Sequence, residues 1–365
     1  MRFNFVAKVE CNGQDAKVPG FREINGKANG ISMNLVAVAE QNNRAFMECA
    51  GFKNDVIKTF DNDNNKIEIN WEDREDEDVI KKVANYRKNV IVLNGERREF
   101  VATLDFIQFI RDNIDEIKGK DFTITGQIQK NEYNGKISDR FQIQNMFEVT
   151  EEKKHQLRVY GDFFFNADGI DLADWKSERK ITFNGYTKEY MNKEHPSAYV
   201  EKTITLDASK IDLTNEKHVA LLAFRLKLMG VALDGENVKI SLKKNTYYAN
   251  NVVLGYVNGA EKIEFSADQL TDTQKEMVAL GIKKPEDFAP AGAIYGNRVQ
   301  LYKLVDFDLR GKYEDGMVKL DEKASEFEEN IYSSVKEETV DDFEKKMNKP
   351  VEKKSDEDGD DDLFG

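Results

Sequence analysis

The residues best equipped for chemistry are lysines and tyrosines that share strand faces. In Arg179–Tyr190, Ile181 and Phe183 take one face, and Lys180, Thr182, Asn184, Tyr186, Lys188 and Tyr190 take the other. A second group, Lys243, Lys244, Asn245, Thr246, Tyr247 and Tyr248, falls at an expected hairpin tip. A third, Lys130, Tyr133, Lys136 and Arg140, surrounds the turn Asn134-Gly135, with Gln127, Gln129, Gln142 and Gln144 beside it. Arg87, Lys88, Arg97 and Arg98 form a further basic group placed to flank a groove. Cations that follow phosphates and aromatic faces on which bases stack are the two requirements of a single-stranded nucleic-acid site. Each cluster taken singly is ordinary on exposed strands. Their co-occurrence in both halves of the chain is what points to a polyanion with flat bases.

Other chemistries lack their residues. His155, His195 and His218 are too scattered for a triad or a metal cluster, and no phosphate-binding loop, G-x-G-x-x-G, G-x-S-x-G or H-E-x-x-H motif is present. Asp61-Asn62-Asp63-Asn64-Asn65 with Glu72 resembles a calcium loop, but Lys66 stands where that loop needs glycine, so a polar turn is expected. Cys11 and Cys49 form no C-x-x-C pair, which excludes a disulfide scaffold and a cysteine zinc site and suits a reducing cytoplasm. No cofactor, metal or catalytic residue is expected. The amino terminus lacks a signal-peptide pattern, and no stretch approaches the ~20 apolar residues of a membrane span, so no membrane partner is expected.

The elements that must position these residues are mostly strands. Ile31, Met33, Leu35 and Ala37 alternate with Ser32, Asn34, Val36 and Val38. Ile67, Ile69 and Trp71 alternate with Glu68 and Asn70, which places Trp71 in the core. Phe122, Ile124 and Ile128 continue the pattern, and Asn134-Gly135 turns the chain into Ile137–Phe147. Phe106, Phe109, Ile110, Ile114 and Ile117 mark a helix closed by Gly119, and a second helix is expected over Asp76–Lys88. The same grammar recurs as strands at Gln156–Phe165, Arg179–Tyr190 and Tyr199–Leu206, a helix at Asn215–Met229, and strands at Val238–Leu242 and Val252–Val257. A capped helix from Thr271 to Leu280 and a strand at Val299–Leu309 follow. The expected architecture is mainly β: an OB-like domain over 1–150, a second with an extra helix over 151–320, and a tail over 321–365.

Charge is unevenly placed in this chain of 365 residues and net charge −14. Asp321–Gly365 holds 17 acids against 7 bases, leaving 51 against 47 in the rest. Phe327, Ile331 and Val335 allow a short amphipathic helix, and from Lys349 onward the chain has too little to bury and is expected to be disordered. It ends on two large apolar residues, Leu363 and Phe364, before Gly365.

The order of strands, helix and hairpin, followed by the ending Asp360-Asp361-Asp362-Leu363-Phe364-Gly365, resembles OB-fold single-stranded DNA-binding proteins, above all those of bacteriophages. The resemblance implies a non-enzymatic protein that coats single-stranded DNA with little sequence preference, in the cytoplasm of a bacterial host. It also implies that Asp360, Asp361, Asp362, Leu363 and Phe364 recruit replication or recombination proteins and compete with DNA for the groove. Bacterial members end on the phenylalanine itself, and Gly365 departs from that pattern. A phage structural or assembly protein built of β-barrel modules would show the same strand pattern, and oligomeric state is not written in the sequence.

Overall fold

The computed structural model describes residues 1–26, 29–39, 43–263, 270–288, 294–321 and 323–332. Its architecture is mainly β, and most of the strands join one large sheet.

Within that sheet the strand pairings close two rings. In the first, Arg2–Cys11 pairs with Gly30–Val38, which pairs with Arg44–Phe52. Arg44–Phe52 runs parallel to Lys136–Glu148, which pairs with Asp121–Tyr133, and this last strand returns to Arg2–Cys11. Numbered along the chain, the circuit is 1-2-3-5-4-1. In the second ring Gln156–Phe165 pairs with Lys180–Glu189, which pairs with Ala198–Asp207. Ala198–Asp207 runs parallel to Ile294–Phe307, which pairs with Tyr248–Ile263, and this strand returns to Gln156–Phe165. The circuit is the same. The two first strands also pair with each other, Arg2 opposite Tyr160 and Val6 opposite Gln156, and so fuse the rings edge to edge.

A helix lies between the third and fourth strands of each ring. Thr103–Asp112 buries Phe106, Ile107 and Ile110 completely, a burial worth about 1.5–3 kcal/mol for each side chain. Gly119, at φ +85°, lets the chain reverse after the following turn, Ile114–Ile117. Glu216–Leu228 buries Leu222, Leu226 and Leu228, and Gly230, at φ +69°, follows it. The interior of both rings forms one apolar cluster, from Phe3, Phe5, Met33 and Phe122 through to Phe163, Phe183, Ile204 and Leu254. Among the described residues, no helix is long and apolar enough to cross a membrane.

The Glu216–Leu228 helix is capped by Asn215, whose side chain accepts from the backbone N–H of Lys217 at 3.0 Å and of His218 at 3.4 Å. Asn215→Ala is expected to lower the unfolding free energy by about 1 kcal/mol, read as a shift in the urea midpoint at unchanged slope.

Several expected elements take a different form. The helix expected over Asp76–Lys88 is only Glu77–Lys82, capped by Asp76, and a 3-10 turn Asn85–Arg87 follows it. Trp71 begins a 3-10 turn after the strand Lys66–Asn70 and is half-buried, with the Arg74 guanidinium 4.3 Å from its ring. It is not core, because the hairpin Val56–Phe60/Lys66–Asn70 is a small separate sheet with its own cluster of Ile69, Val83 and Val101. Val238 and Ile240 belong to another separate hairpin, Val231–Asp234/Asn237–Ile240. Residues 324–332 belong to the folded body: Phe327 sits on a helix, Ala324–Glu329, and Ile331 pairs in parallel with Tyr199 as a strand residue. Val335 and the tail tip Asp360, Asp361, Asp362, Leu363 and Phe364 lie outside the described residues.

Candidate nucleic-acid interface

Strand alternation sorts the candidate residues into three places. In Lys180–Glu189 the inward residues are Ile181, Phe183, Gly185, Thr187 and Glu189, so Lys180, Thr182, Asn184, Tyr186 and Lys188 share the outward face. Lys180 is engaged by Glu178 at 2.6 Å, and Lys188 lies 5.3 Å from the centre of the Tyr199 ring. Tyr190, just past the strand, is 61% exposed. Lys180 and Thr182 also line a groove of about 570 Å³ with Thr205, Asp207 and Lys303 from the neighbouring strands.

The Asn-Gly hairpin forms the second place. Asn134 and Gly135 take φ of +50° and +72°, the left-handed pair that a two-residue hairpin turn requires, and Lys136 pairs with Tyr133. Tyr133 is 72% exposed at the tip. Lys130 is not available to a phosphate: its side chain is 5% exposed and its ammonium lies 2.8 Å from Asp139 Oδ1. Asp139 Oδ2 meets the Lys202 ammonium at 2.5 Å and accepts from the Tyr302 hydroxyl at 2.5 Å. Lys130 and Asp139 come from the first ring and Lys202 and Tyr302 from the second, so this cationic residue serves the joint between rings. Burial pushes the Asp139 carboxyl up, but Lys202 and Lys130 outweigh it and hold the group well below the usual carboxylate range.

The third place is the turn before Tyr248–Ile263. Lys243 and Lys244 are exposed there, whereas Tyr247 and Tyr248 are buried. Tyr248 packs in the main cluster near Phe165, and Tyr247 stacks on Phe327. Neither offers a free face to a base, because the Ala324–Glu329 helix and the ring core cover them. The basic group at Arg87–Arg98 is similarly engaged. Lys88 is buried on Glu99, Arg97 pairs with Glu99, Arg98 pairs with Glu96, and the Arg87 guanidinium lies over Phe60.

Around Arg140 and Gln142 of the hairpin cluster, the structure adds residues of Arg44–Phe52 that the clusters above do not include. On Arg44–Phe52 the inward residues are Ala45, Met47, Cys49 and Gly51, which leaves Phe46, Glu48, Ala50 and Phe52 outward. Phe46 is 55% exposed. On the adjoining parallel strand, Arg140 Nη1 and Gln142 Nε2 reach Glu48 at 3.3 and 2.6 Å, and Lys17 and Arg22 line the same groove of about 360 Å³. On its other side Phe46 lines a second groove together with Arg298 and Gln300 of the second ring. Asn258 ties the rings together here, its amide N–H donating to Asn43 Oδ1 at 2.7 Å and its side chain donating to the Arg44 carbonyl at 3.0 Å. Alternation of Ala45, Met47 and Cys49 is the signal by which Phe46 was readable as an outward aromatic.

No protein-family model matches the chain, and neither does any curated protein.

Asp61 makes the turn that the Asx pattern calls for: its side chain accepts from the N–H of Asp63 at 2.9 Å and of Asn65 at 2.8 Å, with Asn64 at φ +64°. The Asn65 side chain also donates to Asp61 Oδ2, at 3.1 Å, and this bond first, then the backbone N–H of Asn65, holds the carboxyl below the usual carboxylate range.

Proposed function

We propose that this protein binds single-stranded DNA through two tandem OB-like barrels and recruits replication or recombination partners through its acidic C-terminal tail. It is a binder in this reading and not an enzyme. The observation that carries the reading is the repeated circuit 1-2-3-5-4-1, parallel between strands three and five, with a helix between strands three and four. Barrels of the OB type use the face of strands two and three and its bordering loops to bind oligonucleotides and oligosaccharides.

In the first ring that face carries exposed Phe46, with Arg140 on the next strand. In the second it carries Lys180, Thr182, Tyr186 and Lys188. An aromatic residue beside a cation on this face of both rings, with Tyr186 of the second packed edge-on with Phe327, favours a polyanion with flat bases over a saccharide. A tail with an excess of acids, tethered to the same chain, has a high effective concentration at such faces and opposes weak contacts to duplex DNA.

Fluorescence polarisation with a labelled oligo-dT strand tests this. The full chain is expected to bind, more weakly as salt is raised. A version ending at Asn348 is expected to bind more tightly. Joint Phe46→Ala and Arg140→Ala replacement is expected to weaken binding about tenfold or more, since base–aromatic stacking contributes about 1–3 kcal/mol per base. Absence of binding by the full chain and the shortened version at low salt would sink the proposal.

A further inference from the structure

The outward side of the second ring contains an aromatic slot that the chain itself fills. Phe327 is 0% exposed and lies face to face between Tyr199 and Tyr247. Its ring centroid is 3.9 Å from that of Tyr199 and 4.0 Å from that of Tyr247, with the planes inclined by 22° and 18°. Tyr186 closes the slot edge-on, at 5.5 Å and 71°. Aromatic side chains packed in a core prefer offset or edge-on contacts at about 4.5–7 Å. A flat ring held between two others at these distances has instead the geometry of an intercalated base.

The segment that supplies Phe327 is lightly held apart from that ring. Its helix, Ala324–Glu329, has six residues and no side-chain cap, and so short a helix has little stability of its own. The strand after it has two residues, pairing Ile331 with Tyr199 and Tyr332 with Val200. Further ties are a bond from the Leu320 N–H to the Tyr247 carbonyl at 3.0 Å, a bond from the Tyr199 N–H to the Asn330 carbonyl at 2.9 Å, a hydroxyl bond from Tyr332 to Glu132, the His195 ring against Tyr332, and the packing of Ala324 and Ile331 beside Phe327. The helix also brings acids to the slot: Glu328 accepts from the Tyr247 hydroxyl at 3.3 Å, with Glu326 and Glu329 on the same turns. A cation stands at the slot, Lys188 at 5.3 Å from the centre of the Tyr199 ring, and two exposed lysines, Lys243 and Lys244, precede Tyr247 in the chain. A ring flanked by carboxylates, seated among tyrosines with a lysine at the slot, presents what a nucleotide presents: a flat face and negative charge.

We propose that the Tyr199/Tyr247 slot is a nucleobase site held closed by Phe327, and that single-stranded DNA opens it by displacing residues 323–332. The proposal rests on the single-strand-binding reading above and adds its regulation. Phe327 and a base exclude each other sterically, and the glutamates and phosphates exclude each other by charge. Apparent affinity is therefore reduced by the fraction of molecules in which the slot is closed.

The test uses the full-length chain and an oligo-dT strand carrying 5-iododeoxyuridine. Irradiation of the wild-type complex is expected to cross-link Tyr199 or Tyr247, and adding the strand is expected to accelerate amide exchange across residues 324–332. Phe327→Ala is expected to bind the oligonucleotide about tenfold more tightly, and adding Tyr199→Ala is expected to remove that gain. If the oligonucleotide binds while 324–332 keeps its protection and cross-links fall elsewhere, the slot proposal is overturned and the single-strand reading stands. If neither wild type nor Phe327→Ala binds, both are overturned. Should Phe327→Ala fail to fold, the exchange and cross-linking results on the wild-type chain decide.

Discussion

Asp139→Ala is expected to lower the unfolding free energy by about 3–5 kcal/mol, because it strands two buried ammonium groups at once. The Lys130 and Lys202 side chains are nearly inaccessible, and the same carboxylate lies 2.8 Å from one and 2.5 Å from the other. Lys202 also sits 3.3 Å from the centre of the Tyr302 ring, which offers it a π face but no counter-charge. Asp139→Asn keeps the shape and removes the charge, and a loss close to that of the alanine variant in urea unfolding would assign the effect to electrostatics. A loss below about 1 kcal/mol in both variants would mean that water reaches the lysines.

The same cluster fixes a pH dependence. Burial pushes the Lys202 ammonium down to about 8; Asp139 opposes the shift and Lys130 adds to it. In the unfolded chain the group keeps its proton to about its ordinary value of 10.5. Between these two values the unfolded state binds more protons, so stability contributed by this group rises with pH there and is flat below. Burial also raises the Tyr302 hydroxyl, as does Asp139 beside it, and it pushes Tyr256 up to about 12. Above about pH 10 the unfolded tyrosines ionise first and stability falls. Urea midpoints measured from pH 7 to 11 are expected to rise from about 8 and turn over near 10. In Asp139→Asn the rise is expected to begin at lower pH, because Lys202 has lost the anion that held its proton.

Features with a local cause were legible in the sequence. Inward Ile31, Met33, Leu35 and Ala37 follow from alternation, and all four are buried. The Thr271–Gln274 capping box is formed at the start of Asp272–Ala279, and Gly281 follows at φ +70°. The shared outward face of Lys180, Tyr186 and Lys188 has the same local origin. What could not be read comes from partners distant in the chain. Lys130 stands opposite Asp139 across the hairpin, a pairing that the Asn-Gly turn implies, but its burial depends on Lys202 and Tyr302 from the other ring. Tyr247 looked like a hairpin-tip aromatic until Phe327, 80 residues later, covered it. Ile331 obeys the helical spacing from Phe327, yet its backbone pairs with Tyr199 because Asn330 has already ended the helix. Spacing along the chain records which face a residue shares, but not what arrives to cover that face.

Gly126→Ala is expected to be about as damaging, at roughly 3 kcal/mol or more, through a clash that has no side-chain remedy. Gly126 lies in the fourth strand of the first ring, opposite Phe3 on one side and Ile143 on the other. A Cβ there would stand 1.9 Å from the Gln142 carbonyl oxygen and 2.7 Å from the Phe3 ring. Phe3 can shift only into Phe5 and Phe141, which it already meets at 4.6 and 5.5 Å, and the Gln142 oxygen is backbone. The second ring has the same device at Gly185, where a Cβ would stand 2.4 Å from the Phe164 carbonyl oxygen, beside the Phe164–Tyr186 pair that closes that ring. Gly135→Ala is the control: its Cβ meets nothing within 4 Å, and the cost is that of φ +72°, about 1–2 kcal/mol. If Gly126→Ala and Gly185→Ala each lower one common unfolding transition, the strand pairing from Arg2–Tyr160 to Val6–Gln156 and the Asp139 cluster make the two rings a single cooperative unit. Two separate transitions, each sensitive to one glycine, would mean that these contacts join rings that fold independently. In that case Asp139→Ala would lower the stability of the joint and leave the rings themselves intact.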